Sequence, residues 1–212
     1  GFQQDVMEER LAPYGIREAK VAHQVDVIEQ GNWKLTLENN RECYHCAASH
    51  PELCVSFIDL DFGFDPASLN EEDRALAERH LAEQAARERR WEAEGFKSAL
   101  VERVVDCETN FRSQRLAIAG KGESQTPDAT AACTKLLGTM TRKDLGDMHL
   151  WGHNCWHHFM GDHAVCSIVI PLTPDTTLVR TKWLVNKDAV EGVDYELDKL
   201  TNVWIATTEQ DA

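Results

Sequence analysis

The chain has 212 residues, enough to bury the core of one large domain, and its 42 % hydrophobic and 27 % charged content excludes a disordered tail or a fibrous repeat. Twenty-two Lys and Arg stand against 36 Asp and Glu, and this formal charge of −14 argues against a nucleic-acid partner, because gripping a phosphate backbone needs clustered positive charge. No run of about 18 apolar residues occurs, and the opening GFQQDVMEERLAPYG lacks the basic flank and apolar centre of a signal peptide, so the expectation is a cytoplasmic protein with no membrane span.

The chain opens at Gly1 without a Met and stops at Ala212 directly after an apolar-faced helix, which reads as an internal piece of a longer protein. Alternation in Lys20-Val21-Ala22-His23-Gln24-Val25-Asp26-Val27 predicts a strand leading through Gly31 into a helix that starts near Asn32. That helix ends at Pro51, which biases His50 before it away from the α region. The segment SLNEEDRALAERHLAEQAARERRWEAEGF predicts a long solvated helix, with Ser68 or Asn70 as N-cap and Gly95 near its end. Three β-prone blocks, 104–119, 148–172 and 177–185, predict an antiparallel sheet, and the polar, Gly-rich link 120–146 is too long for a passive turn, which suggests a lid or an edge covering. In the closing helix, 193–212, Leu200, Trp204, Thr207 and Asp211 fall at steps of four, three and four and share one face, so an acid ends an apolar stripe. The expected fold is one α+β domain over 1–212, a helix-grip arrangement with a curved antiparallel sheet around a metal-bearing helix.

Chemistry concentrates in the stretch 32–51, which holds two His and two Glu. A five-residue step turns a helix by about 500°, so His45 and His50 converge only if the helix breaks, and Pro51 supplies the break. Two imidazoles with Asp211 as the third ligand make the facial set of a non-haem Fe(II) site with open positions. Glu42, three residues before His45, is expected beside the ligands rather than among them. The competing reading of the two histidines is as surface or capping residues. Cys43, His45 and Cys46 could make half a zinc site, yet no second C-x2-C follows. Seven cysteines (Cys43, Cys46, Cys54, Cys107, Cys133, Cys155, Cys166), an odd number, predict reduced thiols rather than a disulfide framework.

Asn32-Trp33-Lys34, Glu38-Asn39, Glu42-x-Tyr44-His45-x4-His50-Pro51 and Glu209-Gln210-Asp211 together resemble the catalytic domain of Rieske-type non-haem iron oxygenases. Trp156-His157-His158-Phe159, Asp162-His163-Ala164-Val165, Thr181-Lys182-Trp183-Leu184-Val185 and the stretch 187–195 resemble the branch that acts on quaternary ammonium compounds. The resemblance implies His45, His50 and Asp211 as iron ligands and Glu42 as the catalytic acid that bridges to a neighbouring subunit's cluster. It also implies a homotrimer, an NAD(P)H-dependent ferredoxin-type reductase, O2 as co-substrate, and a [2Fe-2S] cluster in an N-terminal Rieske domain. That domain is missing, because no C-x-H followed by a nearby C-x2-H exists here. The implied reaction is oxidative N-demethylation of a compound such as glycine betaine or stachydrine. Its cation cannot donate a hydrogen bond and calls for aromatic faces, for which Trp151, Trp156, Phe159, Tyr195 and Trp204 are the candidates. Two other readings stand beside it: an aromatic-ring hydroxylating dioxygenase, and a non-enzymatic helix-grip ligand-binding module.

Overall fold

Alternation along the C-terminal strands decides where the core lies. In the computed structural model, which describes residues 1–41, 45–57, 66–105 and 109–211, strand β7 buries Thr177, Val179, Thr181, Trp183 and Val185 and leaves Thr176, Leu178, Arg180 and Lys182 half-buried between them. Chain order is α1 (Phe2–Leu11), β1 (Lys20–Glu29), α2 (Trp33–Arg41), α3 (Cys46–Ser49), α4 (Glu71–Ala93), β2 (Val101–Val105), β3 (Thr109–Leu116), β4 (Asp147–Trp151), β5 (Cys155–Phe159), β6 (His163–Thr173), β7 (Thr176–Val185) and α5 (Leu197–Asp211). The strands form one seven-stranded antiparallel sheet in the order β1-β7-β6-β5-β4-β3-β2, so the first strand closes against the last. One face, through Val165, Val169, Val179, Trp183 and Val185, packs on Leu200, Val203 and Trp204 of α5. On the other face, Met148, Leu150, Phe159 and Ala164 meet Tyr14 and Trp91 in a second cluster. The expected α+β class and antiparallel sheet are what the chain forms.

Several boundaries differ from the sequence expectation. The single block 148–172 is three strands, because Gly152 and Gly161 interrupt it; a Cβ at Gly161 would stand 2.8 Å from the Arg142 carbonyl oxygen. Within the stretch expected as one helix from Asn32 to Pro51, the described residues form α2 over Trp33–Arg41 and one further turn, α3, over Cys46–Ser49. His50 closes that turn at φ −124°, ψ 68°, outside the helical region, as the following Pro51 requires. The sequence reading does not include α1; its buried Arg10 donates through Nη1 to Ser113 Oγ of β3 at 3.2 Å and ties the helix to the sheet. Asn70 is the N-cap of α4, accepting from the Asp73 N–H at 2.9 Å. That helix is not solvated all round, since Ala77, His80, Gln84 and Trp91 are buried. The link 120–146 contains no helix or strand and is pinned from beneath: Ser124 Oγ donates to Asp162 Oδ1 at 2.6 Å, and the Ala132 and Cys133 N–H groups donate to Asp162 Oδ2. Cys46 is disulfide-bonded, contrary to the expectation of reduced thiols, whereas Cys54, Cys133, Cys155 and Cys166 are free. Among the described residues no helix is long and apolar enough to cross a membrane.

Candidate metal centre and its cavity

The short turn α3 places one histidine at each of its ends, His45 as N-cap and His50 as C-cap. Their Nε2 atoms stand 3.1 Å apart, and Asp211 Oδ1, at the end of α5, lies 3.2 Å from His50 Nε2 and 3.7 Å from His45 Nε2. Donor atoms each about 2.1 Å from one ion and at right angles to one another stand about 3 Å apart, so these three atoms outline one face of an octahedron. His50 is 1 % exposed, and its ring orientation follows from its neighbours. Gln210 Nε2 donates to the Glu52 carboxylate at 2.7 Å, which fixes the amide so that its Oε1 accepts from His50 Nδ1–H at 3.0 Å. The proton therefore sits on Nδ1, and the Nε2 lone pair faces Asp211. Cys46 also falls near the two histidines, but a sulfur in a disulfide is no thiolate and cannot complete the set. Glu42 lies outside the described residues.

A cavity opens on these three donors. Trp204 and Thr207 of α5, Asn39 and Asn40 of α2, and Phe57 form part of its wall. The opposite wall comes from the sheet. Period-two alternation turns Asp147, His149 and Trp151 of β4, with Trp156 and His158 of β5, towards α5. Of the five proposed aromatic residues, Trp151 and Trp204 line this cavity, and Trp156 lines the adjoining cleft between β1, α2 and α5. Phe159 does not: the same alternation sends it to the other face, 5.6 Å from the Tyr14 ring. Nor does Tyr195, which is buried with Lys20 Nζ 5.1 Å from its ring centre. Trp151 already carries the Arg41 and Arg112 guanidinium groups at 5.7 and 5.2 Å and donates to Asn40 Oδ1 at 2.9 Å.

Sequence reasoning passed over Asp147, His149 and His158, although an alternating Asp-x-His-x-Trp strand followed by Trp-x-His is a readable pattern. These three could be a second metal set, but the geometry argues otherwise. His158 Nδ1 is 2.6 Å from Asp147 Oδ2, a hydrogen bond shorter than the spacing of two ligands on one ion. The His149 and His158 rings stack at 4.4 Å and 17°, so their in-plane lone pairs run side by side rather than converging. Asp147 also accepts from Gln125 Nε2 at 3.0 Å and from the Phe159 N–H at 3.1 Å. Burial, with His158 and Arg112 nearby, holds the His149 imidazole well below its usual value. His157, on the far face of β5, is lowered by burial and by His158 to about 4.

The family described as "Ring hydroxylating alpha subunit (catalytic domain)" matches residues 16–212. The glycine betaine monooxygenase oxygenase subunit of Chromohalobacter salexigens is 39 % identical over 213 residues, covering 97 % of this chain and 44 % of that protein. The protein of the same name from Pseudomonas aeruginosa is 40 % identical over 206 residues, covering 97 % of this chain and 45 % of its own. The chain thus spans a little under half the length of the curated relatives it matches. A solved quaternary ammonium Rieske monooxygenase, CntA, in complex with an inhibitor, aligns over 100 % of this chain and 41 % of its own with a TM-score of 0.53 and 13 % identity, a likeness of fold.

Proposed function

The chain belongs to the family of ring-hydroxylating alpha subunits, as their catalytic domain, and from that premise we propose that it oxidatively N-demethylates a carboxylated quaternary ammonium compound such as glycine betaine. The observation that carries the metal part is the triad: His45, His50 and Asp211 offer two imidazole nitrogens and one carboxyl oxygen at ligand-to-ligand spacing, a donor set that suits Fe(II) and leaves positions free. When bound there, the iron supplies activation of O2 for hydroxylation of an N-methyl carbon, whose product releases formaldehyde and the demethylated amine. The substrate part is supported by the names of the relatives at 39 and 40 % identity.

The chain's own residues hold and orient. Glu52 and Gln210 keep His50 in the tautomer that presents Nε2. Trp204 and Phe57 offer ring faces to a trimethylammonium group beside the triad, a contact worth about 0.5 to 2 kcal/mol per ring. The cleft between β1, α2 and α5 joins the cavity at Asp211 and Trp204 and gives the substrate its way in. Electrons are proposed to come from a Rieske [2Fe-2S] domain and a ferredoxin-type reductase outside this chain, with Glu42 as the acid facing the neighbouring subunit of a trimer.

Oxygen uptake and formaldehyde release, measured on the full-length oxygenase with its reductase, test the reading. Glycine betaine or stachydrine should give both in equal amounts. Diol formation from aromatic hydrocarbons with no formaldehyde from any betaine would replace it with ring dihydroxylation and leave the metal assignment in place.

A further inference from the structure

The cavity poses a charge problem that the proposed substrate makes acute. A betaine is a zwitterion, and among the described residues lining the cavity there is no Lys and no Arg. Arg41 and Arg112, the guanidinium groups over the Trp151 ring, are not part of the lining. A carboxylate carried into such a site without a charged or strongly polarised donor would lose its hydration and regain nothing. Asn39, Asn40 and Thr207 offer neutral donors there, and a histidine is the lining side chain among the described residues that can add a charge-assisted one. His45 and His50 turn their Nε2 atoms to the metal position, so His149 and His158 remain.

Their surroundings separate the two. His149 is held neutral by burial and by its neighbours His158 and Arg112. His158 has a carboxyl group of its own: Asp147, 2 % exposed, meets His158 Nδ1 at 2.6 Å and takes hydrogen bonds from Gln125 Nε2 and the Phe159 N–H. Among the described residues, His158 is the ion-pair partner of Asp147. The amide of Gln125 is fixed in turn, because Trp204 Nε1–H donates to its Oε1 at 3.0 Å. The His158 ring is clamped between His149 and Trp204, each 4.4 Å away between centroids. With Nδ1 tied to Asp147 and both faces covered, one polar atom is left. Among the described residues His158 Nε2 is buried without a hydrogen-bond partner, in a side chain that lines the cavity.

Resting on the quaternary-ammonium reading above, we propose that His158 receives the substrate's carboxylate, donating through Nε2–H while Asp147 holds its Nδ1. Trp204 then serves both ends of the zwitterion, since its ring lines the cavity and its indole N–H fixes the network that orients His158. The preference for a carboxylated over a plain quaternary ammonium compound is set on β4 and β5, by residues that are not among the proposed metal ligands.

The test is calorimetric binding to the iron-loaded protein under nitrogen, with glycine betaine and tetramethylammonium as paired probes. His158→Gln should weaken glycine betaine by about 10- to 100-fold, the worth of one charge-assisted hydrogen bond, and leave tetramethylammonium within about 2-fold. Iron content should be that of the wild type. A second measurement needs no variant: in zinc-substituted wild-type protein labelled with 15N at histidine, glycine betaine should move one imidazole Nε2 resonance that tetramethylammonium leaves in place. Equal affinity of wild type and His158→Gln for glycine betaine, or no such resonance change, overturns the assignment and spares the substrate reading. Failure of the wild type to bind either probe overturns both.

Discussion

At the scale of single residues, the triad is a problem of orientation more than of inventory. Two Nε2 atoms and a carboxylate oxygen within 3.1 to 3.7 Å of one another repay their crowding only around a shared cation or proton. Removing Asp211 takes away the single anionic donor, so Asp211→Ala should reduce bound iron from about one per chain to near zero, read by metal analysis after dialysis. Wild-type iron content in that variant would end the assignment. Gln210 never touches the metal position, yet it determines which His50 nitrogen carries the proton. Gln210→Ala should weaken Fe(II) binding by about 10- to 100-fold, the usual cost of losing such support, and Gln210→Glu should not restore it, because a second carboxylate would face Glu52 in place of the amide donor. Competition with a chelator measures both.

At the scale of elements, period two in the strands sorts the aromatic residues. Trp156 and Phe159 are three apart on β5 and therefore point to opposite faces, whereas Trp156 and His158 share one. The same rule places His149 and Trp151 together on β4. Helix α4 supports this sheet through one amide. Beyond the end of β2, Gln84 donates to the Arg115 carbonyl at 2.8 Å and accepts from the Ala117 N–H at 2.7 Å, pairing with β3 as another strand would. Gln84→Ala leaves both backbone groups buried and unpaired, a loss of about 2 to 4 kcal/mol. Urea denaturation should show it, and Gln84→Leu, which restores volume without the hydrogen bonds, should not recover it.

At the scale of the whole molecule, burial of titratable groups on both sides of the sheet sets an acid limit. His157 is held by burial and by His158 at about 4, against 6.5 in an exposed chain. Between those values the unfolded state binds a proton that the folded state does not, so stability falls as pH drops from 6.5 to 4, by on the order of 3 kcal/mol. Asp162 works lower. Burial alone would raise its carboxyl, but His163 and the hydrogen bonds from His163, Ser124 and Ala132 hold it at about 2. Its contribution is present above the ordinary carboxyl value of 3.8 and is lost as pH falls towards 2, by about 2 kcal/mol. Denaturant midpoints from pH 7 down to 3 should therefore decline in two stages. His157→Gln should flatten the upper stage, and Asp162→Asn the lower. Because Asp162 also holds the link 120–134 through Ser124, Ala132 and Cys133, its substitution should open that segment to proteolysis.

The sequence by itself determined what depends on neighbours along the chain. The H-x4-H spacing before Pro51, the apolar stripe ending at Asp211, the cap at Asn70 and the β-prone blocks all follow from local steric and periodic rules. The ends that carry His50 and Asp211 are written locally, whereas His45 stands at the start of a separate turn where the sequence predicts a continuous helix. Tertiary structure alone decided the rest. The three strands inside 148–172 are separated by glycines whose need arises from close approach to other segments, as at Gly161 against Arg142. The Asp147–His158 pair is assembled by β4 and β5, its partner Gln125 comes from a link without helix or strand, and the clamp on His158 comes from Trp204 far along the chain. No periodicity reports such contacts, because burial of a polar network is settled by which faces pack together, and that is a property of the folded chain rather than of any stretch of it.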